Sequence, residues 1–348
     1  MAQILLYGAN GYTGKLIIRE AIKRGMSPIL AGRNPSALQQ LAQEFSLTYR
    51  VASLEDKAQL DSLLSDISVV IHAAGPFSIT ARPMIEACIR NKVHYLDITG
   101  EIPVFELAKK YDQQAKDAGI MVMPGVGFDV VPTDCMASHL KEQLPDATHL
   151  ELGFASVGGA ISHGTATTMA MAIGEGGAAR ENGRIVPKPL GFTTRKVDLG
   201  KGPWLFMSIP WGDVSTAFHT TGIPNITTFT SITPGVYRFI KLQGLFNWLL
   251  RTKWARKLIQ KKIDGRPAGP TDEERSKSYS LVWGKVYNAK GEAKEARLRC
   301  ENGYTLTAIS SLVIAQKVID AKFCPGYQTP AGCYGSNLVL EIEGSAFL

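Results

Sequence analysis

Gly8-Ala9-Asn10-Gly11-Tyr12-Thr13-Gly14, directly behind the apolar run Ile4–Tyr7, is the stretch on which the reading of this chain turns. Ile4-Leu-Leu-Tyr7 has the length and composition of a buried strand, and residues 14–24 carry apolar side chains at helical spacing. Glycines in a strand-to-helix turn let the backbone approach a pyrophosphate closely. The helix N-terminus behind them supplies free N–H groups and partial positive charge. The spacing is Gly-x-x-Gly-x-x-Gly. Such a pattern alone is a weak signal, and its place between a strand and a helix gives it weight.

Outward from that turn, strand-like and helix-like segments alternate. Strands are expected at 28–31, 47–51, 69–72, 93–98 and 120–123, and helices at 36–45, 56–64, 82–90 and 103–118. Alternation at this spacing means βαβ units around a parallel sheet, and six strands in two halves form the dinucleotide-binding arrangement. The pattern changes after Pro132. Strand-like stretches at 150–154, 204–209, 225–232, 280–287 and 295–300 then dominate, interrupted by a helix expected over 164–179. Residues 264–278 read as a polar loop, 305–321 as an apolar helix and 337–342 as a last short strand. The expected fold is therefore α/β: a doubly wound Rossmann domain over 1–131, then an α+β domain with a mainly antiparallel sheet over 132–302. The segment 303–348 is expected to return towards the first domain.

Bulk properties narrow the class. The chain has 348 residues, 45% of them hydrophobic, enough for two cored domains. Five cysteines (Cys88, Cys135, Cys300, Cys324, Cys333) with no Cys-x-x-Cys spacing read as reduced thiols, not as disulfides or a zinc site. The first residues lack a basic region followed by an apolar signal segment, and no apolar run approaches a membrane span, so a cytoplasmic protein is expected. The net charge of +7 is local. Residues 236–263 hold eight bases (Arg238, Lys241, Arg251, Lys253, Arg256, Lys257, Lys261, Lys262) and no acid, so the remainder of the chain is −1. A nucleic-acid binder should spread its bases over a groove or face, and none is expected here.

Cofactor choice is read at the second strand. It ends in Ala31-Gly32-Arg33-Asn34, where an NAD enzyme usually places an acid on the ribose 2′-OH. Arg33 can instead pair with a 2′-phosphate, so NADP(H) is expected, with a solvated loop arginine as the plain alternative. The expected cofactor contacts are Gly8, Asn10, Gly11, Tyr12, Thr13, Gly14, Arg33 and Asn34. To these are added Ala74, Gly75, Pro76 and Phe77 behind the fourth strand, and Thr99 and Gly100 behind the fifth.

Hydride chemistry needs an electrophilic carbon, support for the charge that develops on the acceptor, and a proton donor. The candidates are Tyr95 and Glu101 at the fifth strand, Asp129 behind the sixth, and His163 and Thr165 in Ser162-His-Gly-Thr165. Each has a structural alternative: a turn or N-cap role for Asp129, helix capping by Ser162 or Thr165, and an ordinary packed histidine. No metal site is expected. There is no Gly-x-Ser-x-Gly or His-Glu-x-x-His, and the one Tyr-x-x-x-Lys, Tyr237 to Lys241, lies outside the Rossmann half.

Taken together, Gly8–Gly14, Ala31-Gly-Arg33, Ala74-Gly-Pro-Phe77, Tyr95-Leu-Asp-Ile-Thr-Gly-Glu101 and Gly127-Phe-Asp-Val-Val-Pro-Thr-Asp134 resemble the saccharopine-dehydrogenase-like oxidoreductases. Ser162–Thr165, Pro210-Trp-Gly-Asp213 and Gly326-Tyr-Gln-Thr-Pro330 extend the likeness, and the subgroup nearest in pattern includes the bacterial trans-acting enoyl reductases. The resemblance implies NADP(H), a Rossmann domain and a second domain whose chain end returns to the first; it does not fix a substrate. The expected activity is NADPH-dependent reduction of an unsaturated, carbonyl or imine group, on a small molecule or on a lipid-like or carrier-bound acyl chain. A non-catalytic NADP(H) sensor and a saccharopine-type amino-acid dehydrogenase are the alternatives. The latter needs basic residues facing carboxylates, with Arg180, Arg184 and Arg195 the ones on offer. Residues 236–263 are expected to form two short helices broken near Thr252. They read either as a solvated basic face or as a docking surface for an acidic carrier protein or an anionic membrane.

Overall fold

The computed structural model describes residues 3–172, 174–200, 202–243 and 267–348, with positions 252, 254, 261, 262, 264 and 265 between them. In chain order the first half runs β1 (Ile4–Tyr7), α1 (Tyr12–Lys23), β2 (Ile29–Gly32), α2 (Pro35–Phe45), β3 (Tyr49–Val51), α3 (Lys57–Leu64), β4 (Val69–His72), α4 (Phe77–Asn91), β5 (His94–Asp97), α5 (Ile102–Lys109), α6 (Asp112–Asp117) and β6 (Met121–Met123). Then follow α7 (Val131–Gln143), β7 (His149–Val157), α8 (His163–Ala172), β8 (Gly177–Glu181), β9 (Arg184–Lys188), β10 (Thr194–Asp198), β11 (Pro203–Ile209), α9 (Asp213–Thr221), β12 (Asn225–Ser231) and α10 (Pro234–Gln243). The last part holds α11 (Asp272–Ser276), β13 (Tyr279–Tyr287), β14 (Ala293–Glu301), α12 (Gly303–Ile319), β15 (Gly326–Tyr327), α13 (Pro330–Tyr334), a 3₁₀ turn (Ser336–Glu341) and β16 (Ala346–Phe347).

The chain divides into two compact units. Residues 1–131 and 303–334 form one, and residues 132–302 and 335–348 the other. The first is built on a seven-stranded sheet in the order β15-β6-β5-β4-β1-β2-β3, parallel throughout. Its order reverses between β1 and β4, and in open α/β sheets ligands bind beyond the carboxyl ends of the strands at such a switch. β1, β2 and β4 are buried on both faces, which is why they read as unbroken apolar runs. Leu5, Tyr7, Ile29, Val70, Tyr95 and Val122 pack with residues of α3, α4, α5 and α6. The alternate residues Leu6, Leu30, Ile71 and Leu96 point the other way. α12 packs on α1, with Tyr304 edge-on to Tyr12 at 5.2 Å.

The second unit holds the mixed sheet β10-β11-β12-β7-β13-β14-β16, mainly antiparallel, with β8 pairing β12 and β9 in a side hairpin. One face carries Ala155, Phe206, Phe229, Leu281 and Trp283. On the other, Gly284 lets α7 settle onto the sheet: a Cβ there would lie 2.6 Å from side-chain atoms of Met136 and Leu140.

Several expected elements change. The helix expected over 164–179 ends at Ala172, and residues 177–181 are strand β8. Gly174, Gly176 and Gly177 divide the two, and Gly174 and Gly176 take positive φ. The helix expected over 103–118 is two, α5 and α6. The last strand expected over 337–342 is the 3₁₀ turn, and the strand that closes the sheet is β16. The polar stretch 264–278 contains α11, started by a capping box of Thr271 and Glu274. Of the two helices expected over 236–263, α10 covers the first part; residues 244–251 and the region of the expected second helix, apart from isolated positions, lie outside the described residues.

Candidate functional site

The loops beyond the carboxyl ends of β1, β2, β4, β5 and β6 hold the first-unit residues that the sequence pointed to. They are built around glycines. Gly8 has φ +91°, and a Cβ on it would lie 2.7 Å from the Ala73 carbonyl carbon, so the β1 and β4 loops touch backbone to backbone. Gly14 is buried in α1, and a Cβ there would stand 2.4 Å from the Gly8 carbonyl oxygen and 2.8 Å from that of Ala9. Gly11 differs. Its φ is −71°, and a Cβ on it meets only the Gly8 oxygen, at 3.3 Å. The protein's own packing needs glycine at 8 and 14 but barely at 11, where the exposed side faces solvent.

The helix N-termini along this edge are treated unequally. Asn34 caps α2, its Oδ1 accepting from Ala37 N at 3.1 Å and from the Ser36 hydroxyl at 2.9 Å. The Glu101 carboxylate caps α4, accepting from Phe77 N at 2.9 Å and Ser78 N at 3.1 Å. The N-cap of α1 is Gly11, which has no side chain to cap with, and the first turn carries no acid. Its amides, behind a glycine turn, suit an anion. Arg33 is exposed at the end of β2. This donor set fits a dinucleotide with a 2′-phosphate.

Behind β5 and β6 lies a buried carboxylate frame. Asp97 is fully buried; it accepts from the Tyr95 hydroxyl at 2.7 Å and from Thr99 N and Gly125 N at 2.9 Å each. Burial lifts its carboxyl to about 6 against the pull of those donors. The Thr99 hydroxyl accepts from Glu101 N at 3.1 Å and so sets the turn that aims Glu101 at α4. Asp129 stands beside this frame, its Oδ2 2.6 Å from where a Gly100 Cβ would be. Desolvation lifts its carboxyl to about 7. A carboxyl that titrates near neutrality can both hold and release a proton at working pH.

These facts sort the expected residues. Tyr95 and Thr99 are fully buried and their hydroxyls engaged inside the frame, so neither has surface to offer an acceptor or cofactor. Glu101 is committed to α4. Pro76 and Phe77, with Ala74 and Gly75, form the β4 loop; the Gly75–Pro76 peptide is cis, and Thr80 Oγ1 donates to Ala74 O at 2.7 Å. His72 below that loop is fully buried, 3.0 Å from Thr80 through Nε2, and burial depresses it to about 3, so it stays neutral. Asp129 is the expected residue whose raised carboxyl stands on the β6 loop. His163 and Thr165 belong to the second unit. Ser162 Oγ accepts from Thr165 N at 3.2 Å, a capping contact, and His163 Nε2 lies 3.1 Å from Asp264.

The sequence reading missed the support beneath Asp129. The Thr307 hydroxyl accepts from Phe128 N at 3.0 Å, Ser310 donates to Val126 O at 2.6 Å, and Gly127 is pressed against Thr307. Hydroxyls on the otherwise apolar run 305–315 were the signal. Among the second-unit arginines, Arg180 is buried and donates to Val214 O and Gly183 O. Arg195 is spread over Glu151, Thr193 Oγ1 and Thr194 O beside a cavity of about 340 Å³. Both are engaged within the unit, while Arg184, the third, is exposed at the start of β9. Among the described residues no group of three or more His, Cys, Asp or Glu side chains could hold a metal ion, all five cysteines are free thiols, and no helix is long and apolar enough to cross a membrane.

Residues 4–123 match the saccharopine dehydrogenase NADP binding domain. The chain is 27% identical over 223 residues to a lipid droplet localized protein of Caenorhabditis elegans, covering 58% of this chain and 52% of that one. It is 29% identical over 221 residues to a trans-acting enoyl reductase of Mycobacterium ulcerans, with the same shares of 58% and 52%. The chain thus spans about half the length of these relatives. In fold it is similar to saccharopine dehydrogenase (L-Glu forming) of Saccharomyces cerevisiae, with a TM-score of 0.70, 14% identity and full coverage of both chains.

Proposed function

We propose, for a saccharopine-dehydrogenase-like chain whose first unit carries an NADP(H)-binding domain, that the protein is an NADPH-dependent reductase of a C=C, C=O or C=N bond, with Asp129 as its proton donor. The observation that carries this reading is a glycine-started helix and a raised carboxyl along one sheet edge. The helix behind Gly8–Gly14 begins at Gly11 with no acid in its first turn, while a carboxyl that titrates at about 7 stands in the β6 loop. Bound NADPH supplies the hydride. The α1 amides would hold its pyrophosphate, and Arg33 its 2′-phosphate. The β4 loop Ala74–Phe77 gives the dinucleotide a small-residue floor. Glu101 holds that loop through α4, and Asp97 holds the β5 and β6 loops in register. Asp129, protonated below about 7, delivers a proton to the acceptor atom on which charge develops.

For the acceptor, a lipid-like or carrier-bound enoyl group is the finer reading. It draws on the likeness to an enoyl reductase and a lipid-droplet protein, and on the engagement of Arg180 and Arg195, which disfavours a substrate with several carboxylates. The test is NADPH oxidation over a panel of enoyl thioesters, ketones and imines, with wild type and Asp129→Asn. Turnover on an enoyl thioester that falls about a hundredfold in Asp129→Asn, as loss of a general acid should cost, supports the assignment. Tight NADPH binding with no turnover on any of them would make the chain a cofactor sensor instead.

A further inference from the structure

We propose that Cys324 and Cys333 are a redox-sensitive dithiol, which a peroxide closes to a disulfide and a thiol reductant reopens. The inference does not depend on the cofactor reading, and both residues belong to the first unit. Cys324 lies in the turn between α12 and β15, and Cys333 lies in α13. The strand between them is pinned. Gly326 N donates to Ile120 O at 2.8 Å, Gln328 N to Val122 O at 3.0 Å and Tyr327 N to Asp112 Oδ1 at 2.9 Å. α13 then folds back over the turn it came from. The Tyr334 hydroxyl donates to Lys322 O at 2.9 Å, and Lys317 Nζ stands 5.4 Å from the centre of the Tyr334 ring. The loop that separates the two cysteines in sequence is thus closed in space.

The cysteines meet inside that closure. The Cys333 thiol hydrogen-bonds with the Cys324 thiol, and the Cys324 backbone N–H donates to the Cys333 sulfur. Cys324 is exposed, whereas Cys88, Cys135 and Cys300 are buried. Burial first, and then the neighbouring Cys324 thiol, push Cys333 up to about 12, so Cys333 keeps its proton at neutral pH. This orders the chemistry. The Cys324 sulfur attacks one oxygen of the peroxide and the O–O bond breaks. Cys324 becomes a sulfenic acid, and the other oxygen leaves as water with the thiol proton. The Cys333 sulfur then attacks the Cys324 sulfur, the S–O bond breaks, and hydroxide leaves with the Cys333 proton as a second water. Two thiols are oxidised to one disulfide, and the peroxide is reduced to two waters. The Cys324 N–H supports the charge that develops on Cys333 as its proton departs.

The test uses the full chain, reduced, freed of reductant, treated with a small excess of hydrogen peroxide, then alkylated and digested with trypsin. No Lys or Arg follows Lys322, so a single peptide, residues 323–348, carries both cysteines and no other. Without peroxide it should take up two alkyl groups. After peroxide it should take up none and be lighter by two hydrogens, and dithiothreitol should restore both alkylation sites. Cys333→Ser should stop at a sulfenic acid on Cys324, trapped by dimedone, and Cys324→Ser should leave Cys333 reduced. The wild-type peptide decides the matter even if neither variant folds. A wild-type peptide still doubly alkylated after peroxide, a bridge to Cys88, Cys135 or Cys300, a dimer linked through Cys324, or sulfinic acid at Cys324 in place of a bridge would each overturn the proposal.

Discussion

Gly11→Ala and Gly14→Ala should have opposite effects on stability and ligand binding, although both glycines belong to one seven-residue motif. At Gly14 the new methyl would stand 2.4 Å from the Gly8 carbonyl oxygen and within 2.9 Å of two atoms of the Ala9 carbonyl. All are backbone atoms of the turn, so relief requires α1 to move off the loop. Overpacking in a well-packed site costs about 1–3 kcal/mol, and a clash with backbone belongs at or above the upper end. For a unit of this size, about 3 kcal/mol lowers the thermal midpoint by roughly 6–12 °C. At Gly11 the backbone is already at φ −71°, which alanine adopts freely, and the one neighbour is the Gly8 oxygen at 3.3 Å. Alanine there also narrows the unfolded ensemble, a gain of about 0.4–1 kcal/mol that offsets the tight contact. The midpoint of Gly11→Ala should therefore stay within a few degrees of wild type. Its NADPH affinity should nonetheless fall about tenfold or more, a loss of about 1.4 kcal/mol, because the methyl occupies the side from which the pyrophosphate approaches. Differential scanning fluorimetry and cofactor titration on the two variants read both effects. Undiminished NADPH binding by Gly11→Ala would refute the placement of the phosphate, and a Gly14→Ala protein as stable as wild type would refute the packing argument.

Two further outcomes follow from the same edge. Arg33→Ala should weaken NADPH about tenfold, since a charge-assisted hydrogen bond is worth about 1.5–3 kcal/mol, and should leave NADH nearly unchanged; equal wild-type affinity for the two cofactors, measured by titration, would remove the 2′-phosphate role. Asp129 has a raised folded-state carboxyl, so the folded protein holds its proton more tightly than the unfolded chain does. The stability this contributes is fully present below the ordinary carboxylate range and is lost progressively from there to about pH 7, so in denaturant titrations wild type should weaken between about pH 4 and 7 more steeply than Asp129→Asn.

What the sequence disclosed and what it hid divide along a physical line. The parallel sheet was legible because β1, β2 and β4 are buried on both faces and read as unbroken apolar runs, and because each βα turn is local. The phosphate turn was legible for the same reason: Gly8, Gly11 and Gly14 are near neighbours in sequence, and only their separate duties needed coordinates. The side hairpin β8–β9 escaped because Gly177–Glu181 lacks a strand's apolar alternation and follows Ala-rich α8. It is the glycines at 174, 176 and 177 that end the helix, and composition had weighed them as helix interior. The commitments of polar side chains escaped more completely. Tyr95, Thr99, Glu101 and Asp129 lie within a few residues of two strand ends; the sequence ranked Tyr95, Glu101 and Asp129 together as candidates for the chemistry and Thr99 as a cofactor contact. Tertiary contacts separate them. Glu101 meets amides twenty-four and twenty-three positions away at α4, Asp97 reaches from β5 to Gly125, and the loop bearing Asp129 hangs from hydroxyls at 307 and 310. Each of the first three spends its polar atoms on holding the edge, directly or through Asp97. Asp129 is the one whose carboxyl burial has lifted to near neutrality on a loop fixed from beneath. The site's logic therefore rests on α12, a helix nearly three hundred residues from the turn that announces the fold. A Thr307→Val variant should accordingly impair the proton step attributed to Asp129 without touching the phosphate turn: the β-branched shape is kept and the acceptor for Phe128 N is lost, so turnover falls while NADPH affinity holds. Equal loss of both would mean that α12 supports the whole unit and not this loop.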